Sequence, residues 1–337
     1  MSTQSTMEQR KLGKDGPEIS VIGYGAWEAG GGYHSANPPD EELIRAMRAA
    51  FEHGVSWVDT AEAYGAGRSE ELVGQAVAGR EDVMVFTKVI FQPFGSGLDA
   101  AGIRAGAEAS LRRLGREVLD LYQLHLPDPE IPVEESWGVL AELVDEGLVR
   151  CIGLSNFPPE LVERCERVRH VDSVQLHFSL LHHEDYLSLL PLCRANGTGI
   201  LAYGPLGFGV LAGKMTPQTR FAEDDWRSGN VPIPVPLYEQ IFAPGRFEQH
   251  LTVVEALRPV AQRRGVTLAQ LALAWVTHQE GVTAAIVGAR SVAHATEAAD
   301  AGTVALSAQD LEDIDAARAG ASAQGSADAG SRGHCLG

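Results

Sequence analysis

Short apolar runs alternate with amphipathic stretches along most of the chain. The run Val83-Met84-Val85-Phe86 has the character of a buried strand, whereas apolar residues at Val133, Trp137, Leu140 and Val144 have helical spacing. The pattern predicts eight strands, at residues 19–24, 55–58, 83–88, 118–124, 149–154, 173–178, 200–203 and 283–287. Eight strands that alternate with helices are typical of a parallel (β/α)8 TIM barrel, an α/β fold.

Helix start signals support this reading. Asn37-Pro38-Pro39-Asp40 predicts the start of the first helix, and Ser69 is predicted to cap the second. Later helices are predicted at residues 100–114, 158–168, 184–195, 246–264, 267–278, 292–300 and 307–318, with one around Trp137 that ends at Glu146-Gly147. A long insertion follows strand seven.

The two ends of the chain depart from the alternation. Residues 1–18 form a polar tail that is predicted to lead into a small hairpin, since Asp15-Gly16 is a turn signal. Residues 319–337 are rich in Ala, Gly and Ser without an apolar period, which predicts a disordered tail. Residues 19–318 are therefore expected to form a single barrel domain.

Composition narrows the class of protein. The 337 residues carry a formal charge of −18, which argues against nucleic-acid binding and suits a small-molecule ligand. No apolar run is long enough for a membrane span, and the polar N-terminus does not resemble a signal peptide. The four cysteines are scattered, as expected for reduced thiols in a cytoplasmic protein. The sequence gives no indication of the oligomeric state.

Three successive predicted strands end in residues with catalytic side chains. Asp59, Lys88 and His125 follow strands two, three and four, and Tyr64 lies five residues after Asp59. The carboxyl ends of barrel strands meet at one face, where such barrels keep their active sites. Lysine is scarce in this chain, with four residues among 27 basic ones, so a lysine directly after an apolar strand is unlikely to be ordinary surface charge.

Two other patterns favour simpler interpretations. Gly95-x-Gly97-x-x-Ala100 and a similar motif at Gly207 match a dinucleotide fingerprint, but neither lies in the tight strand-turn-helix that a Rossmann fold requires. The cluster of His177, His182, His183 and Glu184 has no second pattern to complete a metal site. We expect no metal and interpret the histidines as polar loop residues.

Several motifs occur in the order found in the aldo-keto reductase superfamily, which the chain resembles from about residue 10 to residue 318. The resemblance rests on Asp59-Thr60-Ala61-Glu62-Ala63-Tyr64-Gly65, Thr87-Lys88, Leu124-His125-Leu126-Pro127-Asp128, residues 147–157 (GLVRCIGLSNF) and residues 202–207 (AYGPLG). Within the superfamily, the segment that begins at Pro205 and Gly288-Ala289-Arg290 are most similar to bacterial reductases resembling the inositol-operon oxidoreductase.

The resemblance implies a catalytic tetrad of Asp59, Tyr64, Lys88 and His125. A phenol with a pKa of about 10 is a poor proton source unless its anion is stabilised. A lysine ammonium beside Tyr64 would do this, and Asp59 would hold Lys88 charged. Tyr64 then acts as general acid in the reduction of an aldehyde, ketone or sugar carbonyl, or in the reverse reaction, while His125 orients the carbonyl. The hydride comes from a nicotinamide coenzyme.

The coenzyme residues follow from the same resemblance. Ser155, Asn156 and Gln175 match positions that bind the carboxamide, and Tyr203 matches the ring that stacks on the nicotinamide. Without the family context, the simpler interpretation of Gln175 as a barrel-interior polar residue and of Tyr203 as a core aromatic residue would be favoured. The remaining coenzyme positions are Gly25, Trp27, Gly204, Leu206, Gly207, Gly209, Gly213, Lys214, Arg227, Gly288, Arg290, His294 and Glu297. Of these, Arg227 could instead pair with Glu223, Asp224 or Asp225.

The choice between coenzymes depends on the residues after strand eight. Arg290 precedes a helix start and would pair with an adenosine 2′-phosphate, which favours NADP(H) over NAD(H). Many family members carry an Asn where this chain has Ala298, so one adenine contact is missing and NAD(H) stays possible.

The substrate residues and the class of protein leave alternatives open. Trp27, Phe91, Phe94 and Trp226 are aromatic loop residues that are expected to line the substrate pocket or to pack in a lid. A nucleotide-binding regulatory subunit would retain the same tetrad, and a hydrolase or lyase could use Asp59, Lys88 and His125 without a nicotinamide.

Overall fold

A closed barrel of eight parallel strands forms the centre of the molecule. The computed structural model describes residues 7–32 and 37–319. Two short strands, β1 (Gln9–Lys11) and β2 (Glu18–Ser20), precede the barrel strands β3 (Ile22–Gly25), β4 (Trp57–Asp59), β5 (Met84–Val89), β6 (Leu119–Leu124), β7 (Val149–Ser155), β8 (Ser173–His177), β9 (Gly199–Tyr203) and β10 (Val282–Gly288). The barrel closes where β10 pairs with β3 and β9. The predicted (β/α)8 fold is confirmed.

Helices cover the outside of the barrel. They are α1 (Asp40–Glu52), α2 (Arg68–Ala76), α3 (Ala100–Leu114), α4 (Val133–Asp145), α5 (Pro159–Glu166), α6 (Glu184–Asn196), α7 (Leu237–Ile241), α8 (Arg246–Arg264), α9 (Leu268–Thr277), α10 (Val292–Ala301) and α11 (308–319). Local capping residues define both ends of helix α3. Asp99 accepts a hydrogen bond from the Gly102 amide at its start, and Gly115 ends it in a left-handed conformation.

Ser69 does not cap the second helix. Helix α2 begins at Arg68 with Gly67 as its N-cap, and the Ser69 side chain is fully buried. Its hydroxyl donates to the Ala26 carbonyl at 2.7 Å and lies 2.8 Å from the Thr60 hydroxyl. The residue thus ties the loop after β4 to the loop after β3, a tertiary role that a local capping pattern does not reveal.

The first predicted strand, at residues 19–24, is divided between two sheets. Glu18–Ser20 pairs antiparallel with Gln9–Lys11, whereas Ile22–Gly25 enters the barrel. The Ser20 hydroxyl donates to the Ile22 carbonyl at 2.6 Å across the change of direction. A single polar residue, Ser20, lies here between apolar neighbours, so the sequence pattern did not reveal the break, although the predicted hairpin itself is present.

The hairpin closes the amino-terminal end of the barrel. Leu12 and Ile19 are fully buried in an inner cluster with Trp57 and Phe86. The Lys14 amide donates to the Gly197 carbonyl, just before β9, at 2.7 Å. Since this end is filled with side chains, only the carboxyl ends of the strands can form an open site.

The predicted long insertion follows β9 at that open end. It contains two short 3₁₀ segments, at Gly207–Ala212 and Trp226–Ser228, and helix α7. Its core is a group of aromatic rings in which Trp226 contacts Phe208 and Phe242, with centroids 5.0 and 5.4 Å apart. The insertion is therefore a packed structure that rests on the barrel mouth.

Some sequence expectations concern regions outside the described residues. The tail at residues 320–337 and the first six residues are among these, and residue 319 is the last described residue of helix α11. Within the part of the chain that the structure describes, no helix combines the length and apolarity needed to span a bilayer. Cys151, Cys165 and Cys193 are buried and free.

The hairpin plug generates a stability prediction. Leu12→Ala should destabilise the protein by about 2–5 kcal/mol, because it leaves a cavity under the barrel. The neighbouring exposed residue provides the control, since Lys11→Ala should change the free energy of unfolding by less than about 0.5 kcal/mol. Urea unfolding followed by tryptophan fluorescence measures both. Equal effects of the two substitutions would contradict a packing role for the hairpin.

Candidate active site

A buried ion pair joins the ends of two neighbouring barrel strands. Strands β4 and β5 are adjacent and parallel, which brings the Asp59 carboxylate to the Lys88 ammonium. Lys88 is fully buried and Asp59 is 3% exposed. Lys88 Nζ donates to Asp59 Oδ1 and, at 2.9 Å, to the Thr60 carbonyl. Burial lowers the pKa of the Lys88 ammonium, and the Asp59 carboxylate opposes that shift.

Two glutamines complete the surroundings of Asp59. Its Oδ2 accepts a hydrogen bond from Gln175 Nε2 at 2.8 Å and from Gln123 Nε2 at 3.3 Å. Gln175 also donates to Gln123 Oε1 at 3.2 Å. Asp59 is thus held by neutral donors on one oxygen and by Lys88 on the other, which fixes the orientation of the ion pair.

The Tyr64 hydroxyl lies 3.4 Å from Lys88 Nζ. Tyr64 is on the loop between β4 and α2, and the loop is held from outside by the 3₁₀ segment after β3. A side chain at Gly30 would approach the Tyr64 carbonyl carbon to 2.6 Å. The loop that carries Tyr64 is therefore packed closely against this segment, and Tyr64 itself lines the open cavity.

His125 follows β6 and packs edge-on against Tyr64, with ring centroids 5.5 Å apart. Burial first, and then the Lys88 charge, hold the pKa of His125 well below its usual range. The imidazole is therefore neutral at physiological pH. Its Nδ1 is buried without a hydrogen-bond partner among the described residues. A phenol, an ammonium and a neutral imidazole in this arrangement can transfer a proton to a polar oxygen and orient it.

The next strand ends carry the other polar groups. Asn156, after β7, has a left-handed backbone with φ +62°, and its side chain donates to the His125 carbonyl at 3.2 Å. The Tyr203 hydroxyl donates to Asn156 Oδ1 at 2.7 Å. Burial raises the pKa of Tyr203 above its ordinary range, so the phenol is a neutral donor. Asn156 thereby links His125 to the ring of Tyr203.

A stack of rings supports Tyr203 from behind. His177 lies parallel to Tyr203 at 5.5 Å, and His182 lies parallel to His177 at 4.4 Å. His177 Nδ1 is 2.8 Å from Gln240 Oε1 on α7, and burial lowers the pKa of His177 to about 3. His177 is the last residue of β8 and is buried, so the expectation that it is a loop residue is wrong. No group of three or more potential metal ligands occurs in residues 7–32 and 37–319.

These side chains surround a cavity of about 460 Å³ at the carboxyl ends of the strands. It is lined by Asp59, Tyr64 and His125, while Lys88 lies behind Tyr64. The predicted coenzyme residues on its walls are Gly25, Trp27, Ser155, Asn156, Gln175, Tyr203, Gly204, Leu206, Gly209, Lys214, Arg227, Gly288, Arg290, His294 and Glu297. Phe94, predicted to contact substrate, also lines it and is 53% exposed.

Besides Lys88, four predicted site residues do not line this cavity. Trp226 is fully buried in the aromatic core of the insertion, and Phe91 packs under Phe94. Gly207 and Gly213 face other parts of the fold, because a side chain there would meet Leu181 and Leu268 respectively. The sequence identified these residues as aromatic or as part of a glycine-rich loop, but it did not show which way each one faces.

The structure adds residues that the sequence reasoning missed. Gln123 pairs in register with Lys88 and is the one polar side chain close to Asp59 from β6. Its position opposite a catalytic candidate was a usable signal. Glu28 and the segment at residues 232–235 (PIPV) also line the cavity. Their approach to the site depends on how the loops fold, which no local motif indicated.

Cationic side chains occupy the far end of the cavity. Arg290 Nε is 3.7 Å from Glu28 Oε2, and Ser291 caps α10 by accepting from the His294 amide at 3.3 Å. Arg227 forms an ion pair with Asp225 at 2.6 Å, as the alternative interpretation anticipated, and its guanidinium still reaches the cavity wall. Together with exposed Lys214, these residues make this end suited to an anion.

Comparison with known proteins establishes the family. Residues 21–319 match the sequence profile of the Aldo/keto reductase family. The chain belongs to this family. The motifs in the sequence predicted the same family, and that prediction is confirmed; the protein is an oxidoreductase.

Individual aldo-keto reductases resemble the chain over nearly its whole length. The aldo-keto reductase YhdN of Bacillus subtilis is 34% identical over 91% of this chain and 92% of its own. The glycerol dehydrogenase of Gluconobacter oxydans has a similar structure, with a TM-score of 0.80 at 31% identity over 94% of this chain and 95% of its own. An aldo/keto reductase of Klebsiella pneumoniae in complex with NADP and acetate gives 0.70 at 30% identity, over 91% and 95%.

The buried ion pair generates a second stability prediction. Asp59→Asn should destabilise the protein by about 3–5 kcal/mol, because it leaves the Lys88 ammonium buried without a counter-ion. The double variant Asp59→Asn/Lys88→Met has no buried charge at this position, so it should regain part of the lost stability. Urea unfolding of the wild type, both single variants and the double variant gives the interaction free energy between Asp59 and Lys88. A double variant as unstable as the sum of the singles would contradict direct pairing.

Proposed function

We propose that the protein is an NADPH-dependent carbonyl reductase that converts aldehydes and ketones, including sugar carbonyls, to alcohols and can catalyse the reverse reaction. The observation that carries the proposal is the Tyr64 hydroxyl at 3.4 Å from the buried, Asp59-paired ammonium of Lys88. The neutral His125 beside it completes a site for proton transfer to a carbonyl oxygen.

The residues of the cavity fit a nicotinamide dinucleotide. Ser155, Asn156 and Gln175 offer hydroxyl and amide groups for the carboxamide, and the flat face of Tyr203 is fixed by Asn156 and His177. At Gly204, where φ is +63°, a side chain would meet Phe208 at 2.9 Å, so the loop directly after Tyr203 requires glycine in order to pack. Arg290 and Lys214 provide the positive charge. The bound coenzyme supplies the hydride.

Side chains of the protein carry out the proton transfer. Tyr64 donates its hydroxyl proton to the carbonyl oxygen as negative charge develops there. Lys88, 3.4 Å away, stabilises the phenolate that remains, and Asp59 with the Thr60 carbonyl keeps the ammonium in place. The neutral imidazole of His125 orients the same oxygen by donating a hydrogen bond.

The apolar part of the cavity wall favours substrates with an apolar body. Trp27, Phe94, Leu126 and Ile233 belong to this wall. Such walls bind aromatic or aliphatic aldehydes and ketones, whose burial contributes the hydrophobic part of the affinity. The Gluconobacter oxydans relative is a glycerol dehydrogenase, which supports including polar polyols and sugars in the substrate class. The cytoplasmic location stays a prediction.

The proton-donor role predicts a large effect from one oxygen atom. Tyr64→Phe should lower kcat for an aromatic aldehyde by about 10²–10⁴-fold, while NADPH binding changes little. NADPH oxidation, measured by absorbance, and nucleotide binding, measured by quenching of tryptophan fluorescence, separate the two properties. The matched control is Tyr186→Phe, which removes a hydroxyl that donates to the Glu280 carbonyl on the outside of the barrel.

The outcomes distinguish the alternative classes. Normal turnover by Tyr64→Phe would refute the assigned proton donor. Tight NADPH binding by a wild-type protein that shows no turnover with any carbonyl compound would favour a nucleotide-binding regulatory subunit. Failure of the wild type to bind either nucleotide would favour a hydrolase or lyase that uses the same side chains.

Coenzyme choice rests on Arg290 and generates a separate prediction. Arg290→Ala should remove a charge-assisted contact to the 2′-phosphate. Such a contact contributes about 1.5–3 kcal/mol to the binding free energy, so the Kd for NADPH should increase by about 10- to 150-fold. NADH lacks this phosphate, so its Kd should change by less than about threefold. The NADP bound to the Klebsiella pneumoniae relative supports this preference. Equal losses for both nucleotides would place Arg290 elsewhere on the coenzyme.

A further inference from the structure

A carboxylate faces the cavity among the groups that are suited to an anion. Glu28 lies on the 3₁₀ segment Trp27–Gly30, directly after β3. Its side chain is 24% exposed, but Oε2 is buried and has no hydrogen-bond partner in the described part of the chain. Oε1 lies close to Gly288, since a side chain there would meet it at 3.6 Å. An acid at this point has no evident structural role.

Charged and titratable groups face Glu28 from three elements. Arg290, after β10, places Nε at 3.7 Å, and Arg227 of the insertion lies on the same cavity wall. Tyr24, on β3, directs its hydroxyl away to the Ala289 carbonyl. Burial raises the pKa of Glu28 to about 7, against the opposing effect of the two arginines. The carboxylate is therefore only partly stabilised by its cations.

The position of Glu28 conflicts with a phosphate on Arg290. A guanidinium that forms an ion pair with a carboxylate has fewer free donors for a second anion, and two neighbouring anions repel each other. In the free protein Glu28 is the nearest anion to Arg290. A phosphate that arrives there must displace this carboxylate or find it neutral.

We propose that Glu28 is an internal competitor for Arg290, so that binding of a 2′-phosphate is coupled to the uptake of a proton by Glu28. This inference rests on the proposed function, because it takes Arg290 as the phosphate ligand. Glu28 then determines how strongly the protein prefers NADPH to NADH and makes that preference depend on pH. A neutral Glu28 leaves Arg290 available, whereas an ionised Glu28 occupies it.

The direction of the pH effect follows from the protonation of the acid. Glu28 is neutral below a pKa of about 7 and ionised above it. The affinity for NADPH should therefore fall by about tenfold between pH 7 and pH 8.5, with a smaller change for NADH. The 2′-phosphate itself titrates near pH 6, so measurements at pH 8 detect the protein group without that contribution.

The experiment is calorimetric titration of the intact protein with NADPH and with NADH at pH 8, in buffers of different ionisation enthalpy. The dependence of the heat on the buffer gives the number of protons taken up. We expect about one proton for each NADPH bound by the wild type. Glu28→Gln should abolish the uptake, tighten NADPH binding at pH 8 and leave NADPH affinity nearly independent of pH between 7 and 8.5.

Two further variants assign the proton to Glu28. His294→Asn tests the imidazole that also lines the cavity, and uptake should persist in it. Glu71→Gln removes one negative charge from the exposed face of α2, and it should leave both uptake and affinity unchanged. Loss of uptake in His294→Asn but not in Glu28→Gln would overturn the inference.

The inference and the proposed function fail in different ways. Binding of NADPH without proton uptake at pH 8, or uptake that survives in Glu28→Gln, would refute the role of Glu28 and leave the reductase assignment intact. Absence of binding by both nucleotides would refute the proposed function itself. An NADPH affinity that rises with pH in the wild type would also contradict competition by an ionised carboxylate.

Discussion

The buried ion pair of Lys88 and Asp59 is the interaction on which the rest of the site depends. An isolated ammonium at this depth would lose its proton or destabilise the fold, because desolvation disfavours the charged form. Asp59, the Thr60 carbonyl and two glutamines keep the charge in place. That charge in turn fixes the environment of the Tyr64 hydroxyl and helps to hold His125 neutral.

The sequence predicted the parts of this site that lie on regular elements. Asp59, Lys88 and His125 end parallel strands, and strand ends in a barrel must meet, so periodicity alone brought them together. Gln123 escaped notice because it lies in a strand of mostly apolar residues, and its partner comes from another strand. The division of the first predicted strand escaped because only one polar residue, Ser20, marks the point at which the chain passes from one sheet to the other.

Loop residues were harder to place, because their direction depends on contacts between distant parts of the chain. Trp226 is an aromatic loop residue of the kind that often lines a pocket, but it packs with Phe208 and Phe242 inside the insertion. From the sequence, Glu28 resembles an ordinary acidic surface residue, but in the structure its carboxylate lies near Arg290. Local patterns specify which residues are polar or aromatic, whereas only the packed loops specify what each of them faces.

In the part of the chain that the structure describes, the barrel is open at one end, because Leu12 and Ile19 fill the opposite end. Any molecule that reaches Tyr64 must enter and leave beside the insertion that follows β9. A ligand that extends from Tyr203 to Arg290 would lie across this same passage. Two molecules that share one entrance cannot exchange independently, so the one that lies deeper has to arrive first and depart last.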